Sequence, residues 1–247
     1  MREQIDTIPI SEAFESGDEC PFCYLERKAE QSAMRYIAGP GASYMEPDVR
    51  AVTDETGFCT QHMQKLYDYG NSLGAALMLQ SHMARLIKIL DNAEMPEPQK
   101  KPLFGKRPAQ EDPFRKRLLE QVDKCYLCDK LAYNRNRYFH AFFVMLKDKD
   151  FQNTFANSKG VCLRHFGMLL EKAPEELPEK IQGWFYDTAY QITLENFCRV
   201  KGDLDWFIDK HDYRNAGADW KNSRDALSRA MEKIQGLHPA DPPYKMK

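Results

Sequence analysis

A cysteine and histidine pattern that occurs twice constrains this chain more than any other feature of its sequence. The first copy reads C-x2-C-x35-C-x2-H and the second reads C-x2-C-x33-C-x2-H. The two C-x2-C pairs are 105 residues apart, and the two C-x2-H pairs are 103 residues apart. This matched displacement indicates an internal duplication of domain-sized units. The repeated positions are Cys20, Cys23, Cys59 and His62 in the first copy, and Cys125, Cys128, Cys162 and His165 in the second.

The chemistry of these residues favours a metal site in each copy. Three thiolates and one imidazole complete a tetrahedral zinc shell, and a C-x2-C or C-x2-H spacing lets one tight turn supply two ligands. A glycine two positions before the cysteine of each C-x2-H pair supports such a turn. We therefore predict two structural zinc ions per chain, each held by one copy of the pattern. One set is Cys20, Cys23, Cys59 and His62, and the other is Cys125, Cys128, Cys162 and His165.

Other uses of the same cysteines stay open at this point. A C-x-x-C pair at a helix start is also the arrangement of redox dithiols, in which a lowered pKa activates one thiolate. That arrangement is expected beside a βαβ pattern, and the sequence has none. An iron–sulfur cluster is disfavoured because the compact ferredoxin spacing is missing. Buried thiols without a metal are the plainest alternative.

Composition favours a globular protein in a reducing compartment. The chain has 247 residues and a net charge of -2, which gives no general attraction to nucleic acid or anionic membranes. Neither an N-terminal apolar segment nor an apolar run long enough to span a bilayer is present, so we predict a cytoplasmic location. Six of the seven cysteines belong to the repeated pattern, which favours metal binding over disulfides. We expect the seventh, Cys198, to be a buried, inert thiol.

Apolar residues recur three and four positions apart along most of the chain, and alternating patterns are missing. We therefore predict a mainly α fold of two duplicated helical units, each with a CxxC and a CxxH pair at helix N-termini. One predicted helix begins at Pro47, another runs from His62 to about Leu90, and the last runs from Asn222 or Ser223 to near Gly236.

The repeats and the prolines between them predict the domain organisation. The first CxxC/CxxH unit covers residues 1–91 and the second covers residues 115–212. Five prolines between them mark residues 92–114 as a linker or surface loop. Residues 213–247 contribute a turn, a helix and a tail.

Some weaker candidates lie outside the repeated pattern. A basic stretch around the linker could contact phosphates, and an acidic segment near the C-terminus could serve acid–base chemistry or a third metal, but solvated surfaces are the expected reading of both. Three histidines have no partner at ligand spacing. Common enzyme motifs are missing, which favours a non-enzymatic role. The basic stretch consists of Lys100, Lys101, Lys106, Arg107, Arg115, Lys116 and Arg117. The acidic segment consists of Asp203, Asp205, Asp209, His211 and Asp212. The three histidines without a ligand-spaced partner are His82, His140 and His238.

Several longer motifs give the chain a family resemblance. The motifs "CPFCYLERK", "YMEPDVRAVTDETGFCTQH", "GNSLGAALMLQSH", "GVCLRHF" and "DYRNAGADWKNSRDAL" extend over nearly the whole chain. With them, the sequence resembles a family of uncharacterised bacterial proteins classed as a domain of unknown function. The resemblance implies a full-length unit without an agreed activity. Its members sometimes carry a transporter substrate-binding label, which would require an export signal and an α/β architecture that this sequence lacks.

The sequence thus predicts a cytoplasmic zinc-binding scaffold or binding module with two structural Cys3His sites and a protein partner. The first alternative is a thiol redox protein or metal-responsive sensor that uses the same cysteines. The second is a nucleic-acid-binding protein, whose affinity would depend strongly on salt. We expect no membrane association.

Overall fold

A computed structural model describes residues 7–93 and 112–236 of the chain. In these two ranges the protein forms eleven α-helices and no strand, which confirms the mainly α prediction. No helix in the described part of the chain is long and apolar enough to cross a membrane. The helices are α1 (Thr7–Glu15), α2 (Pro21–Ala38), α3 (Pro47–Thr56), α4 (Thr60–Tyr69), α5 (Ser72–Asp91), α6 (Pro113–Asp123), α7 (Tyr126–Met145), α8 (Lys149–Ala156), α9 (Leu163–Glu176), α10 (Glu179–Asp209) and α11 (Ala226–Gln235).

The described residues divide into two compact units that do not follow the order of the repeats. The first unit combines residues 7–29 with residues 132–236, and the second combines residues 30–93 with residues 112–131. Both boundaries fall inside helices, one in α2 and one in α7. This division differs from the predicted split into residues 1–91 and 115–212, because each unit takes helices from both copies of the pattern.

An aromatic cluster forms the core of the first unit. Phe142 on α7 is fully buried. Its ring lies 5.3 Å from the Phe22 ring at the start of α2 and 6.4 Å from the Phe185 ring on α10, centroid to centroid. Edge-to-face pairs of this kind add about 0.5–1.5 kcal/mol each to the effect of burial. The cluster therefore fixes the start of α2, where Cys20 immediately precedes the helix and Cys23 lies in its first turn.

Aliphatic and sulfur-containing side chains form most of the core of the second unit. Met34 and Ile37 at the end of α2 are fully buried, as is Leu127 on α7. They pack in one cluster with Leu66 of α4 and Met78 of α5. Burying one such side chain stabilises the fold by about 1.5–3 kcal/mol. Leu127, close to Cys125, and Leu66, close to His62, are thus held in place by packing in this core.

The helix predicted from His62 to about Leu90 is two helices. The chain turns at Gly70, whose φ of 91° places it in the left-handed region. The Asn71 side chain then caps α5 by accepting a hydrogen bond from Gly74 N at 3.0 Å. Asn71 Nδ2 also donates to Ala38 O at 2.9 Å, which ties this turn to the end of α2. The apolar spacing continues across the turn, so periodicity alone could not reveal it.

Other local predictions have mixed outcomes. Helix α3 begins at Pro47, as predicted. Helix α11 ends at Gln235 with Gly236 as its C-cap, close to the predicted end, but it begins at Ala226, a few residues later than expected. The prediction for Cys198 is wrong: its side chain is exposed. It lies on α10 out of register with the buried positions of that helix, such as Ile192 and Val200.

Candidate metal centres

The eight cysteine and histidine side chains of the repeated pattern lie in two groups of four. In each group, one donor atom from every residue lies within 4.8 Å of the others, so each group could hold a metal ion. The described residues contain no further group of three or more such side chains. We call them the first centre, formed by Cys20, Cys23, Cys162 and His165, and the second centre, formed by Cys59, His62, Cys125 and Cys128.

The predicted grouping by sequence order is therefore wrong. Each centre combines the CxxC pair of one copy with the CxxH pair of the other. A backbone hydrogen bond helps to fix this crossing in the second centre, because Tyr126 N, next to Cys125, donates to Gly57 O at 3.0 Å. The spacing allowed either grouping, since more than thirty residues separate the pairs within each copy.

Helix N-termini carry all four ligand pairs, as predicted. Cys20 and Cys125 immediately precede α2 and α7, while Cys59 and Cys162 are the N-cap residues of α4 and α9. Free backbone N–H groups and the helix dipole stabilise negative charge at such positions. Cys125 Sγ, for instance, accepts a hydrogen bond from Cys128 N at 3.5 Å. These helix starts therefore favour thiolates.

Interatomic distances within each centre fit one tetrahedral ion. His165 Nδ1 lies 3.4, 3.4 and 3.2 Å from the sulfurs of Cys20, Cys23 and Cys162. His62 Nδ1 lies 3.2–3.4 Å from the three sulfurs of the second centre. Zinc bond lengths imply N–S separations of about 3.6 Å and S–S separations of about 3.8 Å around a tetrahedron. The donor atoms thus surround a space of the right size for zinc.

A glycine makes the turn before each CxxH pair possible. Gly57 has a φ of 58° and Gly160 a φ of 69°. A Cβ at Gly57 would lie 2.5 Å from His82 Nε2, so no other side chain fits there without displacement. His82, predicted to be ordinary, donates from Nδ1 to Asp54 O at 2.8 Å and packs behind the turn. Its role is structural.

Glu30 on α2 orients the histidine of the second centre. His62 Nε2 lies 3.0 Å from Glu30 Oε1, and Lys65 Nζ lies 2.5 Å from the same oxygen. With Nδ1 facing the sulfurs, a proton on Nε2 can be donated to the carboxylate. This carboxylate–histidine arrangement fixes the tautomer and raises the basicity of a metal ligand.

Glu26 occupies the corresponding place in the first centre. His165 Nε2 lies 3.4 Å from Glu26 Oε1, but its alignment does not make a hydrogen bond. Arg135 and Arg164 approach the same oxygen at 3.0 and 3.2 Å. Although burial raises the pKa of Glu26, His165 and the two arginines lower it more, so the carboxylate stays ionised.

Proton affinities within the centres show strong interaction among the donors. Burial lowers the pKa of His62, but its contacts with Cys125 and Glu30 raise that pKa to about 10. Burial raises the pKa of Cys125, but His62 lowers it to about 6. In the first centre, hydrogen bonds among the thiols raise the pKa of Cys23 and lower the pKa of Cys162. Each centre thus shares protons among its donors, and a divalent cation would displace them.

Helix α11 covers the first centre. Lys233 Nζ donates to Glu19 O and Lys159 O, both at 2.6 Å, and so joins the backbone segments that lead to Cys20 and Cys162. Gly236, at the end of α11, lies so close to the centre that a Cβ there would be 3.0 Å from Cys23 Sγ. Every ligand side chain of this centre is buried.

The second centre is partly open. Its Cys128 is exposed and its Cys59 is half-buried, whereas Cys125 and His62 are buried. Cys59 also lines a groove of about 870 Å³ between α4, α5 and α6. Most of the remaining groove side chains are apolar, including Met63, Tyr67, Leu79, Met83, Leu86, Leu90, Leu118 and Val122. The two centres therefore share a ligand set but differ in access to solvent.

The weaker candidates do not form comparable sites in the described residues. The acidic segment joins no ligand group; Asp203, for example, pairs with Arg229 at 2.8 Å. His140 contacts Glu176 at 2.8 Å on an exposed surface. Arg115, Lys116 and Arg117 lie on α6. Residues Lys100, Lys101, Lys106, Arg107 and His238 lie outside the described residues.

Sequence reasoning missed the residues that support the ligands. Glu26 and Glu30 follow the first CxxC pair, but the second copy has Leu131 and Arg135 at the equivalent positions. The repeat therefore gave no reason to single them out. Lys233 likewise reads as a surface lysine of an amphipathic helix, although it is buried.

Fold and site together define an all-helical protein with two Cys3His groups that could hold metal ions. A family model described as "Family of unknown function (DUF6062)" matches residues 1–241, and the chain belongs to this family. This confirms the predicted resemblance to a family without assigned function. No curated protein and no solved structure matches the chain.

Proposed function

We propose that the protein is a zinc-binding scaffold in which each centre holds one zinc ion and stabilises the unit around it. The observation that carries this proposal is the arrangement of three sulfurs and one Nδ1 at tetrahedral spacing in both centres. Four protein ligands leave no open coordination position, which is typical of structural sites. Iron–sulfur chemistry fits less well, because the donors of each group surround space for only one ion.

Zinc also fits the charge around each centre. Three thiolates and a neutral imidazole leave a bound divalent ion with one net negative charge. Lys233 places a cation near the first centre, and at the second centre Lys65 pairs with Glu30 and so offsets the charge of that carboxylate. Such sites require reduced cysteines, which supports the cytoplasmic location that we propose. That a protein partner binds this scaffold stays a prediction from the sequence.

The test is the metal content of protein purified without chelators or metal-affinity resin. We expect two zinc ions per chain by elemental mass spectrometry. Removal of zinc with a strong chelator should lower the unfolding temperature, because the free energy of metal binding contributes to folding. Full thermal stability in metal-free protein would contradict a structural role, and another metal in both centres would contradict the assignment to zinc.

A further inference from the structure

The two centres present the same donor atoms to very different surroundings. Each contains a close sulfur pair from different copies of the pattern: Cys23 and Cys162 lie 3.6 Å apart in the first, and Cys59 and Cys128 lie 3.7 Å apart in the second. Cys23 is 5% exposed and Cys162 is fully buried. In contrast, Cys128 is exposed and Cys59 is half-buried. The two sulfur pairs thus have nearly the same S–S distance but differ in their exposure to solvent.

The residues that pack over each centre explain this difference in solvent exposure. In the first unit, Gly236 lies against the sulfurs of Cys23 and Cys162, and Phe22 and Phe139 pack around the His165 ring with centroids 5.7 and 6.0 Å away. In the second unit, one side of Cys59 borders the groove between α4, α5 and α6. A small water-borne oxidant can therefore reach a sulfur of the second centre without any opening of the fold.

We propose that Cys128 and Cys59 form a peroxide-reactive pair, with Cys128 as the thiolate attacked first and Cys59 as the resolving thiolate. This rests on the proposed function, because a metal-bound thiol is held deprotonated and the thiolate is the form that hydrogen peroxide oxidises. Oxidation follows thiolate character and exposure. Both centres supply the first condition, and only the second supplies the exposure.

The reaction proceeds in two balanced steps. Cys128 Sγ attacks one oxygen of hydrogen peroxide, the O–O bond breaks, and Cys128 becomes a sulfenic acid as hydroxide leaves. Cys59 Sγ then attacks the Cys128 sulfur, an S–S bond forms, and a second hydroxide leaves. Two thiolates are oxidised by two electrons and one peroxide is reduced to two hydroxides. Only Cys125 and His62 then remain as donors, too few to retain the ion.

This chemistry makes the second centre an oxidation-sensitive part of a protein whose first centre resists oxidation. A thiol reductant reverses the disulfide, after which added zinc restores the centre. Loss of one ion would loosen the starts of α4 and α7 and leave the first unit metal-bound. The effect of oxidation is thus confined to the second unit.

The experiment uses the full chain loaded with two zinc ions, in a Cys198→Ser background that removes the exposed cysteine outside the centres. Hydrogen peroxide is added, zinc release is followed with the dye 4-(2-pyridylazo)resorcinol, and samples are alkylated for peptide mass spectrometry. We expect one zinc per chain to leave at least tenfold faster than the other, with a Cys59–Cys128 disulfide and with Cys23 and Cys162 reduced. Dithiothreitol and zinc should restore two ions per chain.

A second variant tests the role of Cys128 directly. Cys128→His keeps four ligand atoms but removes the exposed sulfur, so its fast phase of zinc release should slow at least tenfold. Equal release rates from the two centres in the parent protein, or a first disulfide between Cys23 and Cys162, would overturn the inference and leave the proposed function intact. Protein purified without metal would instead overturn the proposed function and this inference with it.

Discussion

Cys23 Sγ and Cys162 Sγ lie 3.6 Å apart although 139 residues separate them in the chain. The contact joins the start of α2 to the start of α9, and the second centre joins α4 to α7 in the same way. Each candidate metal centre therefore connects segments from both copies of the sequence pattern. Each unit accordingly contains helices from both copies.

This crossed grouping predicts the metal content of double variants. Cys23→Ser with Cys162→Ser removes two ligands from one centre, so we expect one zinc ion per chain to remain. Cys23→Ser with Cys59→Ser damages both centres, and we expect both ions to be lost. Elemental mass spectrometry measures the content, and circular dichroism checks that the helices persist. Grouping by sequence order would reverse the two results.

Glu30 provides a test of ligand orientation. Glu30→Gln keeps the shape of the side chain but weakens its acceptance of the His62 Nε2 proton at 3.0 Å. Loss of such a partner typically lowers metal affinity by about 10–100-fold, and we expect this for the second centre alone. Competition with a chromophoric chelator measures both affinities. Glu55→Gln, at an exposed carboxylate that contacts Lys124, serves as the control and should leave both affinities unchanged.

Lys233 predicts a large effect on stability. Its side chain is 1% exposed, and its Nζ donates to two carbonyls and lies 3.4 Å from Glu19 Oε2. Lys233→Met fills the space but leaves two backbone carbonyls without this donor, while Glu19 keeps Arg199 and Lys159 as partners. We therefore expect a loss of about 2–4 kcal/mol. Urea unfolding measures the free energy. Lys201→Met removes an exposed lysine paired with Asp205 and should leave the free energy of unfolding nearly unchanged. A loss equal to that of Lys233→Met would contradict the structural role of Lys233.

The sequence predicts features that depend on neighbouring residues better than features that depend on contacts between distant parts of the chain. The ligand candidates follow from C-x2-C and C-x2-H spacing, which a single helical turn decides. Which pairs meet depends on long-range packing, such as that of Leu127 with Met34 and Ile37 in the second unit. Apolar periodicity predicted most helices, but it continues through Gly70 and so concealed the turn there. Exposure of Cys128 likewise depends on what packs over it, which spacing does not encode.

Gly57 predicts a cost for any side chain at the turn before Cys59. Its φ of 58° and ψ of -149° lie in a region nearly restricted to glycine, where another residue costs about 1–3 kcal/mol. Gly57→Ala would also press against the His82 ring, so we expect lower stability and weaker zinc binding at the second centre. Gly202→Ala is the control, because a Cβ there meets open space within α10. That variant should stabilise the helix by about 0.5–1 kcal/mol, and thermal unfolding separates the two.

Replacing the Glu232 carboxyl group with a neutral one is expected to stabilise the folded protein by an amount that depends on pH. Its side chain is 2% exposed, and burial, with Asp18 as a second cause, raises its pKa to about 7 from an ordinary value of 4.5. Between pH 4.5 and about 7, the folded state therefore keeps a proton on Glu232 that the unfolded state has released. This proton binding stabilises the folded state at low pH, and the stabilisation is lost as the pH rises through about 7.

A permanently neutral side chain avoids that loss. We expect Glu232→Gln to be more stable than the parent protein at pH 8, by an amount that exceeds its gain at pH 6 by about 1 kcal/mol. Urea unfolding at the two pH values, with zinc present in excess, measures the difference. Glu171→Gln on the exposed face of α9 accounts for the loss of one negative charge. A gain that is the same at both pH values would show that Glu232 is ionised in the folded protein throughout this range.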